Sequence, residues 1–223
     1  MNKYLLVLVA LCCLNAQPAA AQQLEGDQLY RVTTVRAATG SFAELLAWAV
    51  PKNETDFFVM RHSQGDHWDL MFVTPLATLA VDPLFDDVDE LIAFREDTFA
   101  RGPSAAAFAS AYADNAFYHI EMFEAAPGKT QELLRQRRME NDYLAATGQV
   151  ANMIFHSVAG TDVDVFTIGF HEDLEAFAAP APATDEEKEA AAKAAGFSDR
   201  ADISFYLRAL ISGHHDTLAV KAQ

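Results

Sequence analysis

The chain has 223 residues, 51% hydrophobic, 22% charged and 11% aromatic, with 10 glycines and 8 prolines. That profile excludes collagen-like, low-complexity and wholly disordered polymers. Its 16 Lys and Arg stand against 32 Asp and Glu, a net charge of −16. Nucleic acids and anionic membrane surfaces are therefore poor partners, because both need basic surface.

In chain order, residues 1–21 read as an export signal: Lys3 supplies the positive start, Tyr4 to Leu14 the apolar stretch, and Ala19-Ala20-Ala21 the small-residue cleavage site. The apolar stretch is too short to span a bilayer. Cleavage places the mature chain, from about Gln22, in the periplasm or outside the cell, with no membrane attachment. It also removes Cys12 and Cys13, the two cysteines of the chain. A Cys nucleophile and Cys-ligated metal are thereby excluded, and any metal must be held by His, Asp or Glu.

The rest of the chain repeats itself. Leu29 to Leu46 aligns without a gap on Phe117 to Leu134: Tyr30 matches Tyr118, Ala37-Ala38 match Ala125-Ala126, Gly40 matches Gly128, and Glu44-Leu45-Leu46 match Glu132-Leu133-Leu134. Farther on, His62-Ser63 aligns with His156-Ser157 and Asp69 with Asp164. Leu91-Ile92, Asp97-Thr98 and Ala100 return as Leu210-Ile211, Asp216-Thr217 and Ala219. Two repeats are expected, 22–100 and 117–223, with 101–116 as a small, polar linker carrying one helix turn or more and 178–201 as an insertion.

Each repeat opens with an aromatic and β-branched strand, Tyr30 to Val35 or Tyr118 to Phe123. A glycine break follows, then a helix. The first helix is short, ending before Pro51; the second runs to about Thr147 with Gly148 as its left-handed cap. A hairpin comes next, turning at Gln64-Gly65-Asp66 or Ala159-Gly160-Thr161, and a helical segment at Val88 to Phe94 or Ile203 to Ile211 closes the repeat. In the insertion, Glu186 to Ala195 is expected to be an exposed, charged helix, on a mobile surface decoration, with a lid as the alternative reading. The fold class is α+β, with two sheets set face to face and a cleft between them.

The segment Tyr118-His119-Ile120-Glu121-Met122-Phe123-Glu124-Ala125-Ala126-Pro127-Gly128-Lys129 resembles the dimeric α/β-barrel superfamily, closest to its NIPSNAP-like pattern. The resemblance implies ferredoxin-like units, here two in tandem within one chain, forming an intrachain, pseudo-dimeric α/β barrel. That superfamily includes monooxygenases, isomerases, lactone and haem enzymes, so the fold alone does not fix the reaction.

Candidate chemistry lies in the histidines. On the first strand of the second repeat, alternation separates Tyr118, Ile120 and Met122 from His119, Glu121 and Phe123. The more apolar set is assigned to the helix-covered face, which turns His119 and Glu121 toward the cleft, where they can act as acid and base or bind a metal; a rim polar pair is the plainer alternative. His62 and His156 occupy aligned positions and could approach the same cavity, or merely satisfy hairpin backbone. His119, Glu121, His156 and His62 form the catalytic candidate set. His214, His215 and Asp216 form the metal candidate set, although adjacent histidines on a strand face opposite ways, so one of them alone can join Asp216. Asp69 and Asp164 fit turn chemistry, and Trp48 and Trp68 fit the core.

Three function classes stay open: an exported binder of a small apolar or aromatic molecule in the inter-repeat cavity, acting as an acid–base enzyme (isomerase, lyase or cofactor-independent oxygenase); a metal- or haem-dependent protein using His ligands; and a non-catalytic binding or assembly module. The cofactor is left unassigned, and association into homo-oligomers is left open.

Overall fold

The computed structural model describes residues 24–54, 57–65, 67–78 and 84–223; the segment read as an export signal and Asp66, expected in the first hairpin turn, lie outside them. Eight antiparallel strands form a closed barrel: β1 (Gln28–Ala37), β2 (Phe58–Gln64), β3 (Leu70–Leu76), β4 (Ile92–Gly102), β5 (Phe117–Ala125), β6 (Met153–Ala159), β7 (Val165–His171) and β8 (Ile211–Lys221). Their order around the barrel is β1-β3-β2-β8-β5-β7-β6-β4. Exchanging each strand of β1–β4 with its counterpart in β5–β8 returns the same ring. The halves meet at two seams, β2 against β8 and β4 against β6.

Local bonds recur at corresponding places. The carboxylate of Asp69 accepts the N–H of Ala37 at 2.8 Å, and that of Asp164 accepts the N–H of Ala125 at 2.8 Å. Ala38 donates to the Leu91 carbonyl at 2.7 Å and Ala126 to the Leu210 carbonyl at 2.8 Å. Both aspartates thus lock the end of the opening strand from across the sheet, a contact between strands where a local turn role was expected.

Alternate residues of all eight strands fill the barrel, among them Tyr30, Met60, Val73, Ala100, Tyr118, Phe155, Ile168 and Ala219. Trp68 joins them, buried as expected. One end is closed by α2 (Ala105–Asp114), whose N-cap Ser104 accepts the N–H of Ala107 at 3.2 Å. Phe108 of this helix packs its ring 5.0 Å from Phe58 and 5.4 Å from Phe170, while Tyr112 stacks on Tyr118 at 5.5 Å. The segment expected to be a linker is therefore a plug: its small residues let the helix fit the barrel end, and its two aromatics drive it there.

Outside the barrel, α1 (Phe42–Ala49) packs on Val35, Val59 and Phe72. On the other half, α3 (Thr130–Ala146) and α6 (Asp202–Leu210) cover Phe123, Ile154 and Val165. Gly148 follows α3 at φ +73°. The helix expected at Val88 to Phe94 is a 3-10 turn over Asp86–Leu91, and the chain then enters a strand. Both halves close on strands, β4 and β8, that the sequence pattern hid: each is rich in charged or His residues because one of its faces is polar. The insertion contains α4 (Leu174–Ala178) and α5 (Asp185–Ala195). Far from being fully exposed, α5 buries Ala191 and Ala192, with Phe197 just beyond it, beside Met139 and Tyr143 of α3. Among the described residues, no helix is long and apolar enough to cross a membrane.

Candidate functional site

The faces of β5 are the reverse of the sequence expectation. Tyr118 and Ile120 point into the barrel, with Met122 packed against the same interior cluster, and Phe123 lies under the helices on the outside. His119 and Glu121 share that outer face. A closed barrel buries both faces of a strand, so the more apolar set goes to the enclosed interior rather than to the helix layer.

On the neighbouring strand β8, Asp216 lies opposite Glu121 and His214 opposite Phe123. Nε2 of His119 is 3.2 Å from Oδ1 of Asp216. Nε2 of His214 lies 3.6 Å from that same oxygen and 3.6 Å from Oε1 of Glu121. It is buried and makes no hydrogen bond, while its ring stacks on Phe123 at 4.8 Å. The other oxygen of Glu121 is held by Nη1 of Arg137 at 3.4 Å and by the Thr167 hydroxyl at 3.2 Å. Arg137, fully buried on α3, also pairs with Glu140 one helical turn on. Sequence reasoning missed Arg137 and Thr167; the i,i+3 spacing of Arg137 and Glu140 was the available signal.

Electrostatics follow this crowding. Burial pulls the His119 imidazole down, but the Asp216 hydrogen bond and the surrounding carboxylates outweigh it and hold the group above its ordinary value. Burial raises Glu121, yet the imidazole of His214 and the guanidinium of Arg137 prevail and hold it low. Glu140 is held high, because its burial exceeds what Arg137 returns. Asp216 is held low by His119.

Beside the cluster runs a groove of about 340 Å3, with His119, Glu121, Glu140 and His171 along the strand and helix side. Leu144, Val150, Phe177, Pro180 and Pro182 give it apolar walls. Part of that wall belongs to the insertion.

The remaining candidates separate. His215 faces away from His214 and Asp216, into a cavity of about 200 Å3 at the open end of the barrel. His62 packs against Trp68, ring centres 5.2 Å apart. His156 does not join it. The N–H of His62 bonds the Asp69 carbonyl and the N–H of Ser157 bonds the Asp164 carbonyl, each at 2.9 Å, so the counterpart of His62 is Ser157. A register error of one residue reverses the face, and His156 shares the outer face with Ile154.

In the first half, the places of His119, Glu121, His214 and Asp216 are taken by Arg31, Thr33, Arg95 and Asp97. There Arg95 pairs with Asp97 at 2.7 Å, and Thr33 donates to the same carboxylate. The imidazoles belong to one half alone.

No family model matches the chain, and no curated protein does. Solved structures do. An anthrone oxidase-like protein superposes with a TM-score of 0.61 at 10% identity, over 90% of this chain and 94% of that one. A monooxygenase candidate from Lactobacillus acidophilus gives 0.52 at 8% identity, over 89% and 95%. Another from Fusobacterium nucleatum gives 0.50 at 6% identity, over 89% and 94%. The chain has the dimeric α/β-barrel fold, α+β with eight antiparallel strands.

Proposed function

We propose that this chain is an exported, metal-dependent binder of a small, largely apolar molecule, and that its two halves are tandem ferredoxin-like copies joined as a pseudo-dimer. One observation carries the metal reading: His119, Glu121 and Asp216 each bring one ligand atom within 4.8 Å of the other two, and Nε2 of His214 stands beside them, 3.6 Å from an oxygen of Asp216 and of Glu121. Three protein ligands with a fourth position left for water or a bound molecule is the arrangement of a catalytic metal centre. One imidazole and two carboxylates suit a divalent first-row ion such as Zn2+. Arg137 and Thr167 hold the other oxygen of Glu121, which is the outer-sphere support that orients a ligand. The groove next to the cluster offers the small molecule apolar walls and a polar end at the ion.

The tandem reading is supported by the matched bonds of Asp69 and Asp164 and by the self-mapping strand ring. The NIPSNAP-like affinity rests on Tyr118 to Lys129 alone. Export rests on the pattern of residues 1–21, and an N-terminus near Gln22 in protein taken from the exported fraction would bear it out.

The test is elemental analysis of protein purified without chelators, followed by chelation and reconstitution. About one equivalent of divalent metal per chain is expected. A chain that binds none, before or after reconstitution, overturns the metal reading. Acid–base chemistry is the second reading, because His119, Glu121 and Glu140 all open onto the groove. It would stand if ligand binding and turnover proceed in metal-free protein.

A further inference from the structure

The outer face of β7 continues the floor of the groove beyond the metal cluster. Thr167 stands opposite Glu121, Gly169 opposite His119 and His171 opposite Phe117. Gly169 is buried and its backbone is not left-handed, so its missing side chain answers to space rather than to conformation. A Cβ there would lie 2.7 Å from Oδ1 of Asn152 and 3.1 Å from Nε2 of His171. These two polar atoms therefore flank one bare point of the strand, beside His119.

Both side chains line the groove. Asn152 is nine-tenths buried, yet its carboxamide has no hydrogen-bond partner among the described residues. Backbone bonds fix it in place: Nδ2 of Asn141 donates to the Asn152 carbonyl at 2.7 Å, and the Asn152 N–H donates to Oδ1 of Asn141 at 2.8 Å. His171 is half-buried with its ring 5.2 Å from Phe177, and among the described residues no hydrogen bond holds its imidazole either. An unmatched carboxamide at such depth is costly, and a ligand entering the groove relieves it. The facing wall is already seated, because Pro182 lies where a Cβ on Gly148 would come within 2.9 Å of it.

The chemistry of the pair selects its partner. Oδ1 of Asn152 accepts, so it needs a donor; a carbonyl or ether oxygen accepts only and leaves it unmet, whereas a hydroxyl donates to it and still has lone pairs for the imidazole. We infer, resting on the groove as the small-molecule site proposed above, that Asn152 and His171 over the gap at Gly169 form a hydroxyl-recognising subsite, and that the ligand is an apolar molecule carrying an O–H seated beside the metal cluster. Its body lies along Leu144, Val150 and Phe177. Asn152 and His171 bind and orient the ligand and stand outside the group of His119, Glu121 and Asp216 that would hold the ion.

The probes are 2-naphthol and its methyl ether, 2-methoxynaphthalene, whose own fluorescence reports binding when protein is titrated in, before and after chelation of metal. Naphthol should bind at least about tenfold more tightly than the ether, because a site built to bond a hydroxyl rejects the analogue without it. Asn152→Leu and His171→Phe should each lower naphthol to near the affinity of the ether and leave the ether within about twofold of its original value. Thermal melts check folding; His171→Phe keeps a ring against Phe177, and either folded variant decides the matter if the other fails. Equal binding of the two probes, or a preference for naphthol that survives in a folded variant, would overturn the subsite and leave the groove reading standing. A preference lost on chelation would assign the hydroxyl to the ion and overturn the subsite as well. If neither probe binds, the groove reading falls and the subsite falls with it.

Discussion

His214 brings the cluster into focus. Its Nε2 is buried without a hydrogen bond and lies equally far from two carboxylate oxygens, a position that is costly for a lone polar atom. Replacing His119 by Ala or Asp216 by Asn should each reduce bound metal from about one equivalent to a small fraction, measured by elemental analysis of folded protein. His62→Ala and His156→Ala should leave the metal content unchanged, since neither side chain enters the cluster. Thr167→Val removes a hydrogen bond that orients Glu121 and should weaken metal affinity by roughly tenfold, read from competition with a chelating dye. The strand period made some of this site visible beforehand: His119 with Glu121, and one of the paired histidines with Asp216. The sequence could not show that β5 and β8 lie side by side, which brings together residues 97 positions apart.

At the scale of elements, α2 has the most consequential placement. Phe108 is fully buried among Tyr30, Phe58, Phe155 and Phe170, so Phe108→Ala should destabilise the fold by about 3–5 kcal/mol, as large-to-small core changes do. Urea titration followed by circular dichroism would measure it. The same core fixes a pH response. Burial pushes Tyr112 up to about 12, and Tyr30 and Tyr118 are pushed up still further. A raised folded pKa favours the neutral phenol, so this contribution to stability is complete below the unfolded value of about 10 and declines as the pH rises above it. Tyrosinate absorbance from these three should therefore appear together with unfolding in alkaline titration. Nothing in residues 101–116 announced a plug, because alanines and serines carry little hydrophobic pattern. The fate of two aromatics depends on the barrel end that receives them.

Across the whole molecule, the two seams are matched by two glycines. Gly65 and Gly160 have φ of +116° and +93°, and a side chain at either would collide with the backbone carbonyl of Asp216 or Asp97 across the seam. Ala at either position should cost about 2–4 kcal/mol, from left-handed backbone strain and the displaced seam together; the two losses should be similar in thermal melts because the contacts correspond. A difference of several kcal/mol between them would count against the paired architecture.

By itself the sequence determined the α+β class, the order of matched segments, and which residues share a strand face, since these follow from local periodicity and from repetition along the chain. It could not determine which face of a strand looks inward, nor whether His62 corresponds to His156 or its neighbour. A closed barrel offers two buried faces, and a shift of one residue exchanges them. Only the tertiary structure decided that Tyr118 and Ile120 fill the interior while His119 and Glu121 meet His214 and Asp216 on the outer face of the barrel, because that choice is made by the packing of eight strands at once.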